Sequence, residues 1–437
     1  MKYTPNSPAI VEDMLRSAGF NSLDELFSDV PEAIRLDRKL KLGPGRSEIE
    51  LTRELKGLAA KNLNTEDYPC FLGAGAYDHY IPAAIDQLLL RSEFYTAYTP
   101  YQAEINQGIL QSIFEYQSMI CMLTGMDVAN ASMYDGGSAL AEACVLACAN
   151  SKGKKVLLPD TVHPEYQQIL QTYAISGKME IVIVPSTAGV CDLEKMISLI
   201  DEDTACVVIQ QPNFFGHLEE VEKLADAVHR NKGFLVMAVD PISLAILKPP
   251  ADVGADIVVG EGQALGNSLS FGGPYLGFFA ATKKFLRRLP GRIVGQTTDT
   301  EGRRAFVLTL QAREQHIRRE KANSNICSNQ ALNALAATMY LTLIGSTGLQ
   351  AIAVRCHQLA VYAARELEKA GLKLKYKAPF FREFAVLLDD PARANRRLLE
   401  NGIIGGYELE DAMLLAFTEK RTGAEIDQLV AVLGGEA

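Results

Sequence analysis

Between residues 154 and 239 the chain alternates short β-rich runs with helical patterns, and this alternation restricts the fold more than any other feature. The runs KKVLLPD, EIVIVP, ACVVIQQP and FLVMAVD are separated by PEYQQILQTYAISG, DLEKMISLI and LEEVEKLADAVHRNKG. Strands joined through helices run parallel, cross over right-handedly and need helices on both faces of the sheet. An α/β core with a mostly parallel sheet and flanking helices is therefore expected. ADIVVG extends it, and the glycine-rich LSFGGPYLGFFAA reads as a further strand or hairpin.

The flanks read differently. Up to about residue 70 the pattern gives short helices at Ser7 to Ala18, Ser22 to Phe27 and Ser47 to Ala60, the last opened by a Ser47/Glu50 capping box. QAEINQGILQSIFEYQSMICMLTG, from 102 to about 124, reads as one long amphipathic helix stopped by Gly125. After about 325 a long helix, NQALNALAATMYLTLIGSTG, is followed by mixed helices and strands including VYAARELEKAG, FREFAVLL and DAMLLAFT. This organisation predicts a helical N-terminal arm over 1–70, a large domain over 71–324 and a small α+β C-terminal domain over 325–437.

Composition narrows the function. The 437 residues carry 43 Lys+Arg against 53 Asp+Glu, a formal charge of −10, which argues against nucleic acid or an anionic membrane as partner. No apolar run is read as a span of the ~18 residues a membrane helix needs, and the start lacks the apolar centre of a signal peptide, so a cytoplasmic location is expected. The eight cysteines form no CxxC pair and the histidines no HxH or HExxH, giving no metal motif. Cys144 and Cys148 sit among small apolar residues, so the thiols are read as buried packing groups.

Ligands of open α/β sheets gather at the carboxyl ends of the strands. Three turns there carry chemistry. Asp135-Gly136-Gly137-Ser138 runs into a small-residue helix, a shape that offers backbone N–H groups to phosphate, or simply a helix start packed closely through glycine. His163 follows one strand, as a ligand-stacking ring or a hydrogen-bonded structural residue. Asp240 ends a buried apolar strand and needs a partner. In that order the three resemble the phosphate cup, the ring that stacks on the pyridine and the pyridine-nitrogen partner of aminotransferase-like (fold type I) pyridoxal-phosphate enzymes. That class also needs a lysine to hold the cofactor as a Schiff base, yet Ala255 to Ser268 contains none, and Lys248, Lys283 and Lys284 lie outside it.

Two segments narrow the resemblance further. Ser92 to Ile105 (SEFYTAYTPYQAEI) and Arg313 to Cys327 (REQHIRREKANSNIC) resemble signatures of the P-protein family of the glycine cleavage system, also called glycine dehydrogenase (decarboxylating), and the likeness runs through nearly the whole chain. Some members are one chain of about twice this length and others are split in two; this chain resembles the lysine-free subunit 1. The resemblance implies an α2β2 assembly with a lysine-bearing subunit 2 that holds pyridoxal phosphate covalently. In that assembly glycine is decarboxylated and its aminomethyl group passes to the lipoyl group of H-protein.

On this view the chain carries no catalytic lysine of its own. Tyr95, Thr96, Tyr98, Tyr101 and Gln102 are candidates for the substrate entrance, with Ser324 and Asn325 near the partner's phosphate. Arg313, Arg318, Arg319 and Lys321 are candidates to hold a carboxylate or phosphate, or form a solvated face or an interface ion-pair network. Asp135, Gly136, Gly137, Ser138, His163 and Asp240 become vestigial cofactor-site positions. The alternatives are a self-sufficient pyridoxal-phosphate decarboxylase or desulfurase using another lysine, and a purely structural or regulatory partner.

Overall fold

The computed structural model describes residues 6–36, 38–322 and 324–435, and the chain divides into two compact units with the boundary after Leu63. In the first unit, helices α1 (Pro8–Ser17) and α2 (Glu48–Ala59) flank two short 3₁₀ turns, Leu23–Phe27 and Glu32–Ile34. Ser7 caps α1, and Ser47 and Glu50 form the reciprocal capping box read from the sequence.

The second unit is built on a seven-stranded sheet. Its strands are β1 (Val128–Ala129), β2 (Lys155–Pro159), β3 (Glu180–Val184), β4 (Thr204–Gln211), β5 (Phe234–Val239), β6 (Ile257–Glu261) and β7 (Gly277–Ala281), in the order β1-β7-β6-β5-β4-β2-β3. The five from β3 to β6 run parallel, while β7 is antiparallel to both β6 and β1. Strands β4 and β5 are buried along nearly their whole length, the signature of a sheet covered on both faces.

One face is covered by α5 (Gly136–Asn150), a helix of glycine, alanine and cysteine that packs on the sheet with Leu140, Leu158, Val236 and Phe279. The other carries α3 (Ala83–Leu89), α4 (Gln107–Thr124), the crossover helices α7 (Leu193–Ser198) and α8 (Val221–Arg230), and the first part of the long C-terminal helix. Helix α6 (Pro164–Ala174) packs beside α5. Helix α4 begins at Gln107, five residues later than its periodicity suggested, because Ala103–Ile105 form a separate 3₁₀ turn; Gly125 ends it with φ +72°.

A hairpin of β8 (Ile293–Thr298) and β9 (Arg304–Thr309) packs on α4, and the short α9 (Gln315–Arg318) leads to α10 (Ala331–Lys369). Helix α10 is broken at Gly345, where φ +64° and ψ 178° leave helical geometry, so it comprises two helical segments as the sequence indicated, with the break inside the first of them, which had been read as running on to Gly348. It is the one helix among the described residues long and apolar enough to cross a membrane, a stretch missed in the sequence; here Ala334–Tyr340 are buried in the protein core. Its second half supports a sheet of β10 (Glu383–Leu387), β11 (Tyr407–Glu408) and β12 (Ala412–Ala416), closed by α11 (Pro391–Glu400) and α12 (Gly423–Gly434). Five of the eight thiols are buried as expected, but Cys121 and Cys148 are half-buried and Cys327 is exposed.

Candidate functional site

The carboxyl ends of β2, β4, β5 and β6 converge with the segment around Tyr77 and the start of β10. They enclose a cavity of only ≈ 50 Å³. A dry cavity that binds benzene measures about 150 Å³, so this one has room for water and not for a pyridine ring.

Asp240, directly after β5, is held on both oxygens: one accepts from the Ser243 N–H at 2.9 Å and the other from the Arg382 guanidinium. Arg382 is 2% exposed, lies 3.7 Å from the centre of the Tyr77 ring, and donates at 2.6 Å to His79 Nε2. His79 Nδ1 in turn meets Glu419 at 2.6 Å. Burial raises the Glu419 carboxyl, but the His79 contact and the Tyr80 N–H together outweigh it and bring it down to about 2. His79, Cys356 and Glu419 are close enough to suggest a metal site, yet both ring nitrogens of His79 are already engaged.

Glu383, the neighbour of Arg382, accepts from the Ala74 N–H at 2.7 Å and the Tyr77 hydroxyl at 2.8 Å. Burial pushes its carboxyl up to about 7. His163 caps α6 through Nδ1, which accepts from the Glu165 N–H at 3.1 Å, so Nε2 carries the proton and donates to Ala74 O at 2.8 Å. Its ring stacks on Tyr166, with centroids 4.7 Å apart. The imidazole expected to stack on a ligand is thus covered on one face by this chain's own side chain, and burial lowers its pKa.

The glycine turn behaves similarly. Asp135 and Ser138 cap each other: Ser138 N–H donates to the carboxylate at 2.7 Å, and Asp135 N–H to the hydroxyl at 3.2 Å. Gly136 N–H, at the N-terminus of α5, donates at 3.0 Å to Glu261. The other oxygen of Glu261 accepts from Gln263 and Leu276 N–H at 3.0 and 2.8 Å. Burial pushes Glu261 up to about 7 against these three donors. Gly136 has no spare room, since a Cβ there would lie 2.2 Å from the Tyr166 hydroxyl; Gly137 faces Ile169 in the same way. The residues of this pocket therefore do not fit pyridoxal phosphate.

Among the described residues no lysine lines the cavity. Lys248 is exposed and pairs with Glu222 at 2.7 Å. Lys284 pairs with Asp256, which precedes β6, and sits 4.7 Å over the Phe234 ring at the amino end of β5, the opposite end of the sheet from Asp240. Lys283 follows β7 at that same end.

The signature around Tyr95 lies elsewhere. Tyr95, Thr96 and Tyr98 line a groove of ≈ 530 Å³ with Tyr116, Arg292 and Asn329. Tyr95 and Tyr98 are 61% and 85% exposed, and the Tyr98 hydroxyl meets Ser328. Tyr101 packs edge-on to His316, with the Arg292 guanidinium 5.8 Å from its ring, and Gln102 is exposed just before the 3₁₀ turn. Arg313 donates to Leu289 O but leaves Nε and Nη2 buried without a partner. Arg292 Nε and Glu314 Oε1 are likewise unpartnered, with 3.8 Å between the Arg292 Nε and the other Glu314 oxygen. The Tyr116 hydroxyl and Thr99 Oγ1 complete this concentration of buried orphan groups.

Arg318 is exposed and donates to Ala312 O at 3.1 Å; Arg319, Lys321 and Asn325 are exposed. Ser324 faces a different pocket, of ≈ 510 Å³, with Glu142 and Lys178. The structure therefore does not bring Ser324 to the tyrosine groove, and Asn323 of the second signature lies outside the described residues. Glu261, Arg382 and Arg292 were not singled out from the sequence. Glu261 carried a usable signal, a charge ending an apolar strand just as Asp240 does.

The glycine cleavage system P-protein family profile matches residues 1–433. The chain belongs to the glycine cleavage system P-protein family. It is 66% identical to the "probable glycine dehydrogenase (decarboxylating) subunit 1" of Syntrophomonas wolfei over 100% of both chains, and 58% identical to the protein of the same description from Carboxydothermus hydrogenoformans, again over 100% of both. A crystal structure of glycine decarboxylase (P-protein) of the glycine cleavage system in inhibitor-bound form superposes with a TM-score of 0.93 at 42% identity, covering 100% of each chain. The P-protein chain also shares the aminotransferase-like fold, seen in an alanine–glyoxylate aminotransferase from Nostoc with a TM-score of 0.59 at 16% identity over 92% of this chain and 99% of that one.

Proposed function

We propose that this chain is subunit 1 of a two-chain glycine dehydrogenase (decarboxylating), incomplete alone and active in an α2β2 assembly with a lysine-bearing subunit 2. The observation that carries the reading is a P-protein fold matched end to end by proteins described as subunit 1, with no lysine among the described residues lining its cofactor-type cavity. In the assembly, subunit 2 holds pyridoxal phosphate covalently, and the cofactor supplies the electron sink for decarboxylating glycine. The aminomethyl group then passes to the lipoyl group of H-protein, and the assembly works in the cytoplasm, in keeping with eight free thiols.

This chain contributes a surface. Tyr95, Thr96, Tyr98, Tyr101 and Gln102 line the way to the partner's site, Arg313, Arg318 and Lys321 hold a carboxylate or phosphate there, and Ser324 and Asn325 lie near the partner's phosphate. The exposure of Tyr95 and Tyr98, at 61% and 85%, beside a groove of ≈ 530 Å³ supports that placement, because aromatic side chains are enriched where a partner docks. The chain is organised as an arm over 1–70, a large domain over 71–324 and a small domain over 325–437. Exchange of the glycine carboxyl with bicarbonate tests the reading: the assembled pair catalyses it and this chain alone does not. Equal activity of the lone chain would end the division of labour.

A further inference from the structure

A pyridine cofactor with a phosphate tail needs an anion site at a helix N-terminus and a partner for its ring nitrogen. The pocket at the strand ends of this chain retains both, and each is engaged from within. The free N–H of Gly136 at the start of α5 points at the Glu261 carboxylate, 3.0 Å away. Gln263 and Leu276 hold that carboxylate from behind, so it cannot leave without exposing two further donors. A phosphate group placed on the same N–H would have to displace that carboxyl group from its donor.

At the other end of the cavity Arg382 neutralises Asp240, its guanidinium clamped by the Tyr77 ring and His79 Nε2. Arg382 opens the C-terminal sheet, whereas Asp240 closes a strand of the central sheet. Between them, the segment from Ala74 to Tyr80 is stitched to the C-terminal part by Glu383, by Glu419, and by Asp78, which pairs with Lys420 at 2.9 Å and Arg421 at 3.3 Å. Glu261, Asp240, Arg382 and Glu383 have no buried side-chain atom without a partner, while Arg421, at the far side of Asp78, leaves Nε and Nη1 without a hydrogen bond.

We propose that this chain's own cofactor pocket is filled from within, Glu261 seated in the phosphate position and Arg382 against Asp240 in the ring-nitrogen position. The pocket thus serves as a lock between the central sheet and the C-terminal sheet, closed to pyridoxal phosphate and to free phosphate alike. The inference rests on the contacts of this pocket and the family assignment, and it stands or falls independently of the activity proposed above.

The test is equilibrium dialysis of the full chain against inorganic phosphate and, separately, pyridoxal phosphate, for the wild type and for Glu261→Gly and Glu261→Gly/Arg382→Ala. The expected result is no saturable phosphate site in the wild type, a gain of one in Glu261→Gly, and a gain of phosphate-competed pyridoxal phosphate binding in the double variant. A wild-type chain that binds pyridoxal phosphate in competition with phosphate overturns the inference, as does a folded double variant that binds neither. Amide exchange on the wild type needs no variant: the Gly136 N–H is already protected and stays unchanged when phosphate is added. Extra protection there on adding phosphate overturns the inference too.

Discussion

Replacing Arg382 by methionine keeps most of the side-chain volume and removes the charge at the centre of the buried network. Arg382 is 2% exposed and contacts Asp240, His79 and the Tyr77 ring at once. Removing one partner of a buried ion pair costs about 3–5 kcal/mol, because the survivor is left charged and desolvated. Asp240 keeps 16% of its side-chain surface exposed and retains the Ser243 N–H, so the loss falls at the lower end, about 3 kcal/mol. That is a large share of the ~5–15 kcal/mol by which a folded protein is stable. Urea denaturation followed by circular dichroism reads it as a lower midpoint at an unchanged slope. Adding Asp240→Asn to Arg382→Met removes the stranded charge and returns part of the loss, with a coupling on the order of 0.5–3 kcal/mol. A midpoint shift for Arg382→Met worth less than about 1 kcal/mol would refute the reasoning that this pair ties the two sheets together.

Three further outcomes follow from the same contacts. Burial pushes Glu142 from 4.5 up to about 7 despite the Ser324 and Tyr173 hydroxyls, so its stabilising contribution is full below pH 4.5 and lost as the pH rises through about 7. Glu142→Gln removes that dependence, and its urea midpoint falls less than the wild type's between about pH 5 and about pH 8. Gly216 has φ +82° and a Cβ there would stand 1.9 Å from Glu383 O, so Gly216→Ala combines strain with a backbone collision and lowers stability by at least ~2 kcal/mol in the same assay. Tyr98→Ala, at a side chain 85% exposed, leaves the lone chain within ~0.5 kcal/mol of wild type. The same change weakens assembly with subunit 2 by ~2 kcal/mol in sedimentation equilibrium.

The sheet was legible because its signals are local. Each β-rich run between 154 and 239 became a strand, and caps such as Ser47/Glu50 are read within four residues. Asp240 and the glycine turn at Gly136 were legible as positions, since both stand at strand or helix ends. Their state was not. What fills the pocket arrives from 142 residues away in the case of Arg382 and Asp240, and from 125 in the case of Glu261 and Gly136, and no periodicity reports contacts of that span. The start of α4 was misjudged because Ala103–Ile105 continue the apolar spacing of the helix while Asn106 leaves helical geometry. Ser324 was legible as part of the second motif, but its position beside Glu142 depends on a long-range packing contact that the motif does not report.

The claim on which the account turns is that no amine of this chain captures the cofactor. Borohydride reduction in the presence of pyridoxal phosphate, followed by peptide mapping, measures it directly on the lone chain and on the assembled pair. The account predicts a single stoichiometric pyridoxyl-lysine in the assembly, located on subunit 2, and none at a unique position here. A stoichiometric label on one lysine of this chain, accompanied by carbon dioxide release from glycine without a partner, would contradict it.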